Sequence, residues 1–398
     1  MTPDRTVTGT LPLLVEPQAI VNGSLRGLFD PVTSLVVEVA PEIAVRTYFE
    51  GDLFETEDQR NWTDASFKTY STPLALGPPH TSRPDQRFDQ SVTITCASGK
   101  KAKGRTTVRE PITITLGSEA GRTLPALGLG VASARLELTE REVELLRRLR
   151  LDHLRVDLHL EAPDWSDRLE RALDQSRRLN CGVELALHLR AGGLPSVERL
   201  ASTVGSHAVA RILVLDAAGY ASQAEPVHLV RARLAGRIDA PDGGGTDLSF
   251  AESNRSHRDA AGFDFLAYPI SPQVHASDER SLVENLSAQA DTVRSARAFS
   301  DGLPVVVTPV TLRPRSDPGP ADPRQRSLFC AAWTVGSLKR LAHAGMDSVT
   351  FYETVGRRGV LEGADPPVPV ETRQRVPRLP CPRRRWRVEE LRTPRGDL

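Results

Sequence analysis

The sequence predicts an α/β fold: a TIM-type (β/α)8 barrel with an N-terminal β-sandwich-like domain. Three observations lead there. Residues 1–122 are strand-like, with β-branched runs broken by Pro, Gly and Asp. From about 124, apolar strand-length runs alternate with amphipathic helix-length stretches eight times. After residue 362 both periods vanish. Eight alternations imply parallel pairing in a closed sheet, because parallel strands require helical crossovers. An open doubly wound sheet also alternates. However, GLGVAS in the first run lacks the third glycine and the later acid of a dinucleotide fingerprint.

Each element has its own warrant. In residues 1–122, LVVEVA (35–40), SVTITCA (91–97) and PITITLG (111–117) read as strands, and 72–90 as a Pro-rich loop. In residues 123–362, LPALGLGVAS (124–133) is the first barrel strand. TEREVELLRRLR (139–150) is a helix capped by Thr139, with acids in its first turn. LDHLRVDLHL (151–160), CGVELALHL (181–189) and ARILVLDA (210–217) are strands two to four, separated by helices over 166–180 and 196–206. A helix over 224–236 leads to RIDAPDGGGTDLSFAES (237–253), which holds the fifth strand. FDFLAYPI (263–270), LPVVVTPVTLR (303–313) and SVTFYET (348–354) complete the eight, with helices over 281–300 and 325–345. Residues 363–398 are rich in Arg and Pro and read as a disordered tail.

Composition excludes several function classes. Lys+Arg and Asp+Glu are both 51, so nothing points to nucleic acid or an anionic membrane. The cluster Arg383–Arg384–Arg385 has no matching basic face elsewhere. No apolar run approaches the ~20 residues of a membrane span, and MTPDRTVTGTLPLL lacks the plan of a secretory signal. The four cysteines contain no CxxC pair, which fits a reducing, cytoplasmic setting.

Residues 49–70, FEGDLFETEDQRNWTDASFKTY, interleave carboxylates and bases with aromatics. A solvated loop has little use for the aromatics, and a core strand cannot hold the charges unpaired. The mixture suits a wall of a polar-ligand site, with Glu57, Asp58, Arg60, Trp62 and Lys68 as contacts.

Four blocks resemble the D-apionate lactonase family: EDQRNWTDASFKTY (57–70), GGGTDLSFAESNR (243–255), YPISPQVHASDE (268–279) and DPRQRSLFCAAWTVGSLKRLAHAGMDSVTFYETVGRRG (322–359). The resemblance implies a β-rich N-terminal domain, a barrel, a further C-terminal β-domain and hydrolysis of D-apionolactone. The tail 363–398 does not resemble that last domain, as a truncated gene or a shifted reading frame would produce.

Barrel enzymes react at the carboxyl ends of their strands. Strand two ends in Asp157 and His159, strand three in His188 and Arg190, strand four in Asp216. Strand seven offers Thr308, Thr311 and Arg313, with Arg315 beyond, and strand eight Tyr352 and Glu353. The expected acid/base pair is Glu252 and Glu353, each closing an apolar run where an unpaired charge is costly. Asn254, Arg255, Tyr268, Gln273, His275 and Arg313 are expected to bind a small-molecule sugar lactone. No cofactor is expected; the alternative is a divalent metal on His159, His188 and His275. A serine esterase would need GxSxG, which is absent. The main rival is a glycoside hydrolase, although strand seven supplies threonine and arginine where many barrel glycosidases resemble one another in carrying an acid. A third class is a truncated, inactive carbohydrate-binding protein. Oligomeric state is not legible.

Overall fold

The computed structural model describes residues 8–98 apart from 22–23 and 77–80, and residues 124–362 apart from 134–136, 191–193, 218–220, 257–261, 316 and 318. The predicted strand at 111–117 and the tail from 363 lie outside the described residues. The described residues of Met1–Leu35, Tyr48–Thr93 and Leu124–Asp365 form one compact unit, and those of Val36–Thr47 and Ile94–Thr123 a second.

The N-terminal region contributes β1 (Ala19–Val21), β2 (Ser24–Arg26), β3 (Phe29–Val32), β4 (Ser34–Ala40), β5 (Ile43–Glu50), β6 (Phe54–Asp58), β7 (Phe67–Tyr70) and β8 (Ser91–Ser98). β1 pairs with β2, and β6 lies between β3 and β7 with antiparallel register. β4, β5 and β8 form a further three-stranded sheet.

The barrel strands are β9 (Ala126–Gly130), β10 (His153–His159), β11 (Gly182–Leu189), β12 (Val209–Asp216), β13 (Asp242–Gly245), β14 (Leu266–Ile270), β15 (Val305–Val310) and β16 (Ser348–Val355). Each pairs in parallel with the next, and β16 pairs back onto β9 to close the sheet. A short β17 (Gly359–Leu361) adds to the end of β16. The helices are α1 (Glu140–Arg147), α2 (Trp165–Leu179), α3 (Ser196–Val204), α4 (Ala224–Leu234), α5 (Phe250–Arg255), α6 (Glu279–Glu284), α7 (Leu286–Phe299) and α8 (Leu328–Ala344). Among the described residues no helix is long and apolar enough to cross a membrane.

Local rules account for most of these boundaries. Thr139 caps α1 in a full capping box with Glu142. Asn180 and Gly345 end α2 and α8 in the left-handed conformation that closes helix C-termini. The single helix expected over 281–300 is instead two, α6 and α7, broken at Asn285. The Asn285 amide is recruited from outside its own helix: Nδ2 donates to Asp64 Oδ1 at 2.9 Å, and Oδ1 accepts from the Ala65 amide at 2.9 Å.

Alternation along each strand sorts side chains between two layers. Leu154, Val156 and Leu158 of β10 and Leu185 and Leu187 of β11 join the main core against the helices. The opposite faces fill the barrel interior. Part of that interior is apolar: Ala186, Leu213, Leu215, Phe265, Ala267 and Val306. The rest is a buried polar column of His153, Arg155, Glu184, Arg211, Thr308 and Thr350. Glu184 Oε1 accepts from Thr308 Oγ1 at 2.5 Å, and Glu184 Oε2 lies 3.5 Å from both His153 Nε2 and Arg211 Nη1. Groups from β10, β12 and β15 thus surround one carboxylate, and the Arg211 guanidinium offsets its charge, as a buried ion requires.

His153 makes stability depend on pH. Burial disfavours its charged form and lowers its pKa from 6.5 to about 4. Between those values the unfolded chain holds the proton and the folded chain does not, so stability falls as pH drops from 6.5 to 4. The shift corresponds to roughly 3 kcal/mol. Urea titrations at pH 7 and pH 4 should show wild type losing about that much more stability than His153→Gln. Equal losses in the two proteins would assign the acid sensitivity elsewhere.

Candidate active site

A concavity of about 660 Å³, counted with its open mouth, lies at the carboxyl ends of β9, β10, β15 and β16. Its lining includes Ser133, Arg155, Asp157, Arg313, Arg315 and Glu353. This is the face on which barrel enzymes carry their reacting groups.

The backbone aims Glu353 into this space. Tyr352 has φ +38°, a left-handed conformation that is strained for a bulky residue. The pairing of β16 with β9 slips one residue between Phe351 and Glu353 at the same point. The Tyr352 carbonyl packs where a Cβ on Gly130 would come within 2.7 Å, so the opposing residue is glycine. The Tyr352 ring is anchored: its hydroxyl lies 2.9 Å from Thr334 Oγ1 and 3.5 Å from Cys330 Sγ. Burial pushes the hydroxyl pKa well up, so it stays neutral. The Glu353 carboxylate is half-buried and accepts from the Ser133 amide at 2.9 Å and the Ser133 hydroxyl at 3.1 Å. Among the described residues, no cation pairs with it within 4 Å.

Next to it stands a charged cluster. Asp157 Oδ1 accepts from Arg155 Nη2 at 2.7 Å, and Asp157 Oδ2 accepts from Arg315 Nη2 at 2.6 Å. Both guanidiniums also reach Asp247 Oδ1, at 3.0 and 2.9 Å. His188 Nε2 lies 3.0 Å from Asp157 Oδ1, and its ring stacks on His159 with centroids 4.3 Å apart. That stack follows from the register, which sets His159 beside His188. Burial alone would raise the Asp157 pKa. The two arginines and the His188 bond outweigh it and hold Asp157 well below the usual carboxylate range. Asp322, also on the cavity wall, is pushed up by burial but pulled down further by bonds from Arg324 and Gln273. Both acids are therefore fixed anions, poorly suited to exchanging protons near neutral pH.

Asp157, His188 and Asp247 bring ligand atoms within 4.8 Å of one another and form the one such group among the described residues. The guanidiniums of Arg155 and Arg315 already supply positive charge and donors to the same carboxylates, so a cation there would have to displace them. The histidine trio considered from the sequence does not assemble. His275 instead holds Asp64 Oδ2 through Nδ1 at 2.5 Å.

Of the residues expected to form the site, Glu353 and Arg313 line the cavity. The others sit elsewhere. Glu252 and Arg255, on α5, pair with each other at 2.8 Å, and Arg255 Nη2 also donates to Gln18. Glu252 and Glu353 therefore do not face each other across this concavity. The reason is helical: Glu252 lies in the first turn of α5, where an i,i+3 arginine captures it. Asn254 Nδ2 donates to Val15 O and Asn61 Oδ1. Tyr268 is wholly buried in the layer outside the barrel, with its hydroxyl on Thr292. Gln273 reaches the cavity indirectly, donating to Asp322 Oδ2 at 2.6 Å.

The segment expected as a ligand wall is a docking seam. Arg60 donates to Asp58, to Asp291 on α7 and to the carbonyls of Pro12, Leu13 and Leu14, and its guanidinium lies 5.1 Å from the Phe67 ring centroid. Thr63 donates to Ser271 O, and Trp62 meets the His275 ring edge-on. Glu57 lies 3.7 Å from Lys68 Nζ and accepts from Gln18. Glu57, Asp58 and Trp62 also border a smaller hollow of about 200 Å³. The charges and aromatics thus serve protein partners. Arg60→Ala would leave Asp58 buried and unpaired, and is expected to cost about 3 kcal/mol. A thermal melt unchanged from wild type would contradict this role.

Arg155, Asp247 and Arg315 were not among the expected ligands. Asp247 lies two residues beyond the last glycine of β13, so the strand-end rule points to it once β13 is bounded at Gly245. Arg155 shares the inward parity of Asp157 and His159 on β10.

A family model described as D-apionate lactonase, TIM barrel domain, matches residues 127–382, and one described as D-apionate lactonase, N-terminal domain, matches residues 4–99. A curated D-apionate lactonase from Brucella anthropi is 27% identical over 406 aligned residues, covering 92% of this chain and 63% of the relative. The chain thus spans under two thirds of that relative's length. Among solved structures, an endo-1,4-β-D-mannanase from Thermotoga petrophila RKU-1 is 12% identical with a TM-score of 0.39, covering 61% of this chain and 90% of that one. A β-glucuronidase from Ruminococcus gnavus is 12% identical with a TM-score of 0.42, covering 82% of this chain and 64% of that one. Matched by both family models, one of them across more than half its length, the chain belongs to the D-apionate lactonase family.

Proposed function

We propose that the protein hydrolyses a sugar lactone, D-apionolactone or a close analogue, in the cavity at the barrel mouth, with Glu353 as the proton-transfer group. The observation that carries this reading is the setting of Glu353: a half-buried carboxylate facing the cavity, held only by the neutral donors of Ser133 among the described residues. Glu353 removes a proton from water as the water oxygen bonds to the lactone carbonyl carbon. Arg315 stabilises the resulting oxyanion. The ring C–O bond then breaks, and the proton passes from Glu353 to the departing ring oxygen. The products are a free hydroxyl and a sugar acid, which ionises at neutral pH. The Asp157–His188 pair and Arg155 hold Arg315 in place through the shared carboxylates.

Family membership supports the same activity, since the curated relative bears the name D-apionate lactonase. A retaining glycosidase would need a second carboxylate free to act as acid or nucleophile. The other two acids of the lining, Asp157 and Asp322, are locked by arginines. The test is proton release from a panel of aldonolactones alongside an aryl glycoside. Turnover of lactones alone supports the proposal, and cleavage of the glycoside alone overturns it. Binding of lactones with no turnover would also overturn it, in favour of a carbohydrate-binding protein.

A further inference from the structure

We propose that the same cavity is an acid-recognition site, in which Arg168 and Arg358 receive the carboxylate of a sugar acid. The ring-opened product then binds more tightly than an uncharged sugar of equal size. This rests on the lactonase reading of the cavity and adds to it the charge of the preferred ligand.

The inference comes from charge pairing in the lining. Five arginines line the cavity: Arg155, Arg168, Arg313, Arg315 and Arg358. Arg155 and Arg315 are matched by Asp157 and Asp247, and Arg313 by Asp317 at 3.4 Å. Arg168 and Arg358 have no carboxylate partner among the described residues. Each is tethered by a main-chain carbonyl instead: Arg168 Nε donates to Asp157 O at 3.0 Å, and Arg358 Nη2 to Asp317 O at 3.2 Å. A tethered guanidinium keeps further N–H groups in a fixed fork, the geometry that suits a carboxylate. On the acid side, Asp157 and Asp322 are already paired, which leaves Glu353. Two unmatched cations against one unmatched anion leave a surplus of one positive charge in a half-enclosed space. One bound carboxylate removes it. An uncharged lactone does not, so the surplus favours the ring-opened acid and the anionic intermediate on the way to it.

The test is calorimetric titration of the full chain with sodium D-gluconate and with D-glucitol, which differ chiefly in the carboxylate. Gluconate is expected to bind at least ten-fold more tightly than glucitol. Arg168→Leu and Arg358→Leu should each weaken gluconate at least ten-fold and leave glucitol unchanged, and Arg358→Lys, which keeps the charge without the fork, should recover only part of the loss. Raising NaCl from 50 to 500 mM should weaken gluconate selectively. Equal affinity for the two probes, or gluconate binding indifferent to both leucine variants, would overturn the inference. Lactone turnover accompanied by equal affinities would overturn this inference and spare the lactonase reading. Gluconate preference in a protein that opens no lactone would do the reverse.

Discussion

Glu353→Gln is expected to lower kcat on a sugar lactone at least 100-fold, about 2.7 kcal/mol of lost transition-state stabilisation, while the thermal melt stays within a few degrees of wild type. The amide matches the carboxylate in size, so packing around Ser133 is kept. It cannot take a proton from water near neutral pH. The carboxylate's hydrogen bonds are to the Ser133 amide and hydroxyl. An amide oxygen accepts from both, so the variant separates chemistry from folding. Glu252→Gln is the matched control: its pairing with Arg255 lies away from the cavity, and turnover should fall by less than about three-fold. If Glu252→Gln proves as damaging as Glu353→Gln, the reacting centre lies on the α5 side and the mechanism above is wrong. Near-normal turnover in Glu353→Gln would remove its foundation as well.

Gly245→Ala is expected to destabilise the fold by about 3–5 kcal/mol, lowering Tm by roughly 10 °C. β13 consists of Asp242 and three glycines, all buried. A Cβ on Gly245 would lie 1.7 Å from the Ala267 carbonyl oxygen, and one on Gly243 would lie 2.4 Å from that of Phe265. Both oxygens are backbone atoms of the neighbouring chain run. No side-chain rotation relieves the contact, and β13 would have to separate from β14. Because Asp247 follows this strand by two residues, the same change should loosen the Arg155–Asp157–Asp247–Arg315 cluster and reduce activity in the fraction that folds. A melt within 2 °C of wild type would show that the strand tolerates a side chain.

Much of the architecture was legible from residues close together in the chain. Strand–helix alternation, the Thr139 capping box and the parallel order of eight strands rest on local periodicity and short-range hydrogen bonds, which composition encodes directly. The family was legible too, because long motifs survive as text. The roles of individual charges were not. Residues 57–68 looked like a ligand surface because charge beside aromatics is the signature of any buried polar interface, and sequence does not say whether a sugar or another segment sits opposite. Here the opposite side is α5, α7 and the turn after β14. The break at Asn285 was hidden for the same reason, since its partner Asp64 is 221 positions away.

By itself, then, the amino-acid order settled which stretches become staves and helices, and which acids stand near strand ends. Only the closed barrel decided which of those acids remain free. Glu252 met an arginine one helical turn along, Asp157 met one on its own strand and one from beyond β15, and Glu353 met a serine. A carboxylate's reactivity depends on the charges within a few ångströms of it, and tertiary packing sets those distances across hundreds of residues.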